Sequence, residues 1–181
     1  MASTAVKSAS THQCSYGILD GDDGCLYTAF RSVNGTLGSS TNEKVQHLVA
    51  DYLFRREITE SQRSKIEAKY KSLKECFNEI KKGSLHGGKN ELHALARISR
   101  LVIRVLSSKK SAQSNIDVQT SEYGEDQSSV KQCVYIFYDG EKKHYAPLYC
   151  IDEKSSETLA IFQRDDLIVL DGFVQFIRSK F

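Results

Sequence analysis

Cys25 is the residue best placed in this sequence to act as a nucleophile. An acidic, glycine-containing turn, Gly21-Asp22-Asp23-Gly24, runs into it, and the apolar segment Leu26-Tyr27-Thr28-Ala29-Phe30 continues from it in a helix-compatible pattern. A thiol at a helix N-terminus sits at the positive end of the helix dipole and among backbone N–H groups. Both lower its pKa, and the same N–H groups can hold an oxyanion. A thiolate nucleophile also needs a base within hydrogen-bond reach. His12 lies in a polar leader, His47 on the polar side of a predicted helix and His93 among the surface positions of another. His144, at a strand end beside Tyr145, is the best placed. The alternative for His144 is a strand histidine packed on its tyrosine neighbour.

The elements that must position these two residues are legible from periodicity. Residues 26–33 read as a short helix ended by Asn34-Gly35. Ser40-Thr41-Asn42-Glu43 has the form of a capping box, and Val45, Leu48, Val49, Tyr52 and Leu53 follow at helical spacing. Thr59 to Gln62 repeats that pattern ahead of a charged helix with Ile66, Tyr70, Leu73, Phe77 and Ile80 on one side, running to Gly83. A helix over 90–99 turns Leu92, Leu95 and Ile98 inward. The unbroken apolar run 101–106 then predicts a strand covered on both faces. Residues 107–129, rich in Ser, Gln and Lys, predict a long mobile excursion. Strands are predicted at 132–138 and 144–151, joined by the turn chemistry of Asp139-Gly140; Pro147 predicts an edge position or a bulge. From Asp165 onward Leu167, Leu170, Val174 and Ile177 are spaced for a helix, which Gly172 weakens. The expected organisation is a mobile leader at 1–13 and a single domain over 14–181, with 107–129 as a flexible insertion.

Composition narrows the function. The net charge of +2 comes without a long basic run, so no nucleic-acid partner is expected. No stretch is long and apolar enough to cross a membrane, and the first residues lack a signal-peptide core, so no membrane association and a cytoplasmic location are expected. Five widely spaced cysteines, an odd number, favour reduced thiols over a disulfide framework. No C-x-x-C or H-x3-H pair offers zinc-site spacing, and Cys25 falls where a calcium loop built on Asp20 and Asp22 needs glycine. No metal or cofactor is expected.

Asp22-Asp23-Gly24-Cys25-Leu26-Tyr27 resembles the signature of the ovarian-tumour (OTU) cysteine proteases, in which Asp, Gly and Asn or Asp precede the nucleophilic cysteine. Gly87-Gly88-Lys89-Asn90-Glu91-Leu92-His93-Ala94-Leu95-Ala96 is similar to that family's Gly-Gly-x-x-Glu-Leu-x-Ala-Leu-Ala helix, and His144-Tyr145 to its C-terminal His-aromatic pair. The resemblance spans roughly residues 15–151. It implies an α+β, papain-like OTU fold with a small central β-sheet packed between helices. It also implies a deubiquitinating cysteine isopeptidase that cuts after the ubiquitin C-terminal Gly-Gly. By position Cys25 is then the nucleophile and His144 the general base. Asp22 stands for the signature Asp of the loop whose N–H groups stabilise the oxyanion; the alternative for Asp22 is a solvated turn carboxylate. The Gly87-Gly88-Glu91 block would be structural, setting a helix near the site.

The chain departs from that pattern at Asp23 and Gly24, whose residue types are exchanged, and at His86, which stands in the usual Trp position. It departs also at Ala146, where many relatives carry Asn or Asp two residues after the histidine. A Cys-His dyad, or an imidazole oriented from elsewhere by Asp20 or Asp22, is the expectation that follows. The expected partner is ubiquitin or a polyubiquitin chain, met by a monomer in the cytosol, or in a host cytosol if the chain is a delivered effector. An acidic lining from Asp20, Asp22, Glu122, Glu125 and Asp126 would suit the arginines of the ubiquitin tail. Competing readings are a ubiquitin-binding module without turnover, and a protease for another modifier or a polyprotein.

Overall fold

The apolar run at 101–106 becomes the middle of the molecule. The computed structural model describes residues 14–19, 25–34, 37–54, 60–70, 72–82, 87–110, 116–124 and 129–181. In chain order these form β1 (Cys14–Ile18), α1 (Leu26–Val33), α2 (Asn42–Phe54), α3 (Glu60–Tyr70), α4 (Leu73–Lys81), α5 (Lys89–Ser99) and β2 (Val102–Lys110). There follow β3 (Ile116–Tyr123), β4 (Gln132–Asp139), β5 (His144–Asp152), the short β6 (Thr158–Leu159) and β7 (Phe162–Gln163), and α6 (Leu167–Lys180). The predicted leader lies outside the described residues.

The sheet runs in the order β1-β5-β4-β2-β3, with β6 beside β5 and β7 beside β4. β2 and β4 are parallel and the other pairs antiparallel. The three expected strands are its adjacent centre, and the sheet is larger than expected because β1 and β3 extend it on either side. Side chains alternate between two cores. Ile103, Val105, Val134, Ile136 and Tyr145 face a core built with α1, α2 and α5. Val102, Leu106, Tyr135, Phe137, Leu148 and Cys150 face a second core under α6. The fold is α+β, a mixed sheet between helical layers.

Four expectations change. The excursion expected over 107–129 is strand at 107–110 and 116–123: β2 and β3 form a ladder from Ile103↔Tyr123 to Lys110↔Ile116. β3 is an edge strand, stabilised by backbone pairing rather than by an apolar run, so its Ser, Thr and Gln content disguised it. Pro147 lies in β5, between β1 and β4, not at an edge. Its carbonyl accepts from Leu19 N–H at 3.1 Å, so the position of its missing N–H faces β1 where that ladder ends. The charged helix is two helices, because Ser72 accepts from Glu75 N–H at 3.1 Å and starts α4. Thr41, not Ser40, caps α2, its hydroxyl accepting from Lys44 N–H at 3.2 Å.

Helix α6 forms in spite of Gly172 because the glycine is needed for packing: the Tyr16 ring fills the space a Cβ would take. Tyr16 in turn packs edge-on to Phe173, whose ring also meets Tyr135 and Phe162. Val169, Phe173 and Ile177 are fully buried, each contributing about 1.5–3 kcal/mol of apolar burial. Cys14 and Cys150 meet across β1 and β5 with sulfurs 2.7 Å apart, both reduced, and burial together with Cys14 pushes the Cys150 thiol up.

Candidate active site

Cys25 is the N-cap residue of α1, extended at φ −78° and ψ 136°, and its carbonyl accepts from Ala29 N–H at 3.0 Å. Its side chain makes no capping hydrogen bond. The helix is held from below by Leu26, Tyr27, Ala29, Phe30 and Val33, all buried. It is held from the side by Asn42 of α2, which donates to Thr28 Oγ1 at 2.6 Å and accepts from Arg31 at 2.8 Å. Gly87 adds a third restraint. It adopts φ 88°, which favours glycine, and the Leu26 side chain presses where a Cβ would stand. The Gly-Gly block thus sets the start of α5 directly against the residue after Cys25.

His144 is the first residue of β5. Lys143 before it has φ 54°, closing a four-residue turn whose other end is Asp139. Asp139 Oδ1 accepts from the N–H groups of Glu141 and Lys142 at 3.0 and 3.2 Å, and Asp139 and His144 face each other across the β4–β5 ladder. Tyr145 points to the opposite face, where its ring lies 4.6 Å from that of Tyr138 and burial pushes its phenol up. His144 does not pack on Tyr145; it lines a cleft of about 210 Å³ with Ile18, Phe137, Asp139, Lys142, Ala146, Lys180 and Phe181. Its Nε2 is buried and has no hydrogen-bond partner among the described residues.

Helix α1 packs on β5 and β4, so Cys25 and His144 begin two neighbouring elements. Cys25 packs with the α1-side core and does not line the His144 cleft. Asp22, Asp20, His86, Glu125 and Asp126 lie outside the described residues. Glu122 does not contribute an acidic lining, because it is bound elsewhere. Arg104 Nε donates to Glu122 Oε2 at 2.9 Å and Arg164 donates to Glu122 Oε1 at 2.6 Å. The remaining Arg104 nitrogens donate to Tyr135 Oη at 2.8 Å and to the Arg164 carbonyl at 2.7 Å. Burial acts to raise the Glu122 pKa, but the hydrogen bonds and charges of the two arginines outweigh it and hold the carboxyl below its ordinary 4.5. Sequence reasoning also missed Asp139 as a neighbour of the histidine; the only signal for it is the turn length, which sets residue 139 opposite 144.

No family model matches the sequence, and no curated protein matches it. Solved structures do. An OTU domain in complex with ubiquitin is similar at TM-score 0.66 and 16% identity, covering 90% of this chain and 85% of its own. The Hazara virus OTU bound to ubiquitin gives TM-score 0.55 and 16% identity over 77% of this chain and 87% of its own. This chain has the OTU fold. An OTU deubiquitinase from Wolbachia pipientis bound to ubiquitin agrees, at TM-score 0.53 and 15% identity over 77% of this chain and 97% of its own. Within the OTU fold the three motif blocks fall at the start of α1, the start of α5 and the start of β5. Among the described residues no helix is long and apolar enough to cross a membrane.

Proposed function

We propose that this OTU-fold chain is a deubiquitinating cysteine isopeptidase that hydrolyses the bond after the ubiquitin C-terminal glycine. The observation that carries the reading is a thiol at the N-cap of a helix packed on the strand that opens with His144. It is supported by the likeness to OTU structures bound to ubiquitin. In this reading His144 takes the Cys25 proton, and the thiolate attacks the carbonyl carbon of the terminal glycine. The tetrahedral oxyanion is stabilised by backbone N–H groups at the helix start and in the loop that carries Asp22. The imidazolium then protonates the leaving lysine amine, giving a thioester that water hydrolyses with His144 again as base. The whole described chain is taken to work as one domain.

The test is reaction of the protein with a ubiquitin probe bearing a C-terminal thiol-reactive group. Covalent labelling in the wild type, lost in Cys25→Ala and strongly slowed in His144→Ala, is the expected result. A ubiquitin-binding module without turnover is the second reading, favoured by Ala146 and the unpartnered His144 nitrogen. It requires saturable ubiquitin binding with neither labelling nor hydrolysis. Labelling by probes built on another modifier, and not by ubiquitin, would redirect the substrate assignment.

A further inference from the structure

An imidazole that takes and returns a proton works best when an acceptor on its second nitrogen fixes its tautomer and plane. His144 Nε2 is buried without such an acceptor among the described residues. Ala146, its neighbour on the same face of β5, has no polar atom in its side chain. Buried N–H groups are almost always paired, so an orphan marks a place where a partner belongs.

Among the described residues the one carboxylate side chain lining the cleft is that of Asp139; its charged side chains are otherwise Lys142 and Lys180, and the main chain of Phe181 closes the same cleft. Asp139 stands directly opposite His144 on the same face of the sheet, where facing Cβ atoms are about 4.5–5.5 Å apart. Its Oδ1 is engaged by two turn amides, but among the described residues Oδ2 meets only the Lys142 ammonium at 3.6 Å. That lysine side chain is 75% exposed, so the pairing is weak and leaves Oδ2 with lone pairs to offer. The cleft has room for a bridging water.

We propose that Asp139 is the positioning residue for His144, its Oδ2 accepting from Nε2–H directly or through one water in the place that Ala146 leaves without an acceptor. The proposal rests on His144 being the base. Nδ1 is then the nitrogen that faces the thiol, and the carboxylate stabilises the imidazolium formed on proton transfer.

Asp139→Asn separates this role from turn capping, since its amide oxygen still accepts from the Glu141 and Lys142 N–H groups. The expected result for hydrolysis of a ubiquitin C-terminal amide is a kcat lower by about tenfold or more with KM within about twofold. The acid limb of the kcat/KM profile moves to lower pH. Ala146→Asn added to Asp139→Asn restores kcat at least in part, by placing an amide acceptor beside Nε2. Full activity in Asp139→Asn, or the same loss appearing in Asp20→Asn instead, overturns the proposal. The imidazole resonances of His144, followed by NMR across pH, decide it independently of turnover. A lower His144 pKa in Asp139→Asn supports the pairing; an unchanged titration in a folded variant overturns it even if the chain proves to be a binding module. Absence of wild-type labelling by the ubiquitin probe, by contrast, counts against the proposed function.

Discussion

Two polar clusters sit on the same sheet and are built in opposite ways. Around Glu122 each of the two carboxylate oxygens accepts from an arginine, and Arg104 is engaged through all three of its nitrogens. Around His144 a buried nitrogen has no partner among the described residues, and the nearby carboxylate has one oxygen held only by an exposed lysine. Charges withdrawn from water are tolerated when every donor and acceptor is matched, as at the first cluster, which joins β2, β3, β4 and the turn before α6. At the second the matching is incomplete among the described residues, and in the proposed reading Asp139 supplies the acceptor that His144 lacks. The comparison separates a scaffold from the proposed working rim.

Removing the thiol should abolish the proposed hydrolysis without touching the first cluster. Cys25→Ala is expected to lower hydrolysis by at least about 10³-fold while leaving Tm within a degree or two, since the side chain is only partly buried and makes no cap. Kinetics with a ubiquitin amide beside a thermal melt checks both halves. Arg104→Met should do the reverse. It leaves Glu122 and Tyr135 with unmet polar groups in a site where Arg104 is 9% exposed, costing roughly 2–4 kcal/mol in urea unfolding with activity per folded molecule retained.

Glu122→Gln sharpens the comparison through pH. The folded carboxyl titrates below 4.5, so its stabilising effect is complete above that value and is lost as pH falls through the depressed folded pKa. The variant should be less stable than wild type by about 1–2 kcal/mol at pH 7, and the two urea midpoints should converge in acid. Gly87→Ala is expected to cost about 1–2 kcal/mol. It should also depress kcat, because the new methyl meets Leu26 beside Cys25. Lys142→Ala, at an exposed ion pair, should change stability by no more than about 0.5 kcal/mol. A larger effect there would mean the rim is more tightly matched than it looks.

Elements with a strong apolar rhythm were legible before folding. The helices after Cys25 and Asn90, and the strands at 101–106, 132–138 and 144–151, carry their own pattern and fell where expected. β1 and β3 did not, because an edge strand is specified by the partner it pairs with, and alternation in Ile116-Asp117-Val118-Gln119 is too short to stand alone. The break at Ser72 was hidden because helical spacing runs across it while a single hydroxyl opens the second helix. At the site, residue type and order pointed to Cys25 and His144. The relation of Asp139 to His144 is a matter of ladder register, which no local pattern encodes.

Gly172 and Tyr16 are a matched pair of sizes, one surrendering its side chain so that the other's ring can pass between α6 and β1. Neither can change alone. In a collection of sequences descended from the same ancestor, a larger residue at 172 should therefore travel with a smaller one at 16. Counting such paired exchanges would show whether the last helix stays seated on the first strand by this fit of sizes.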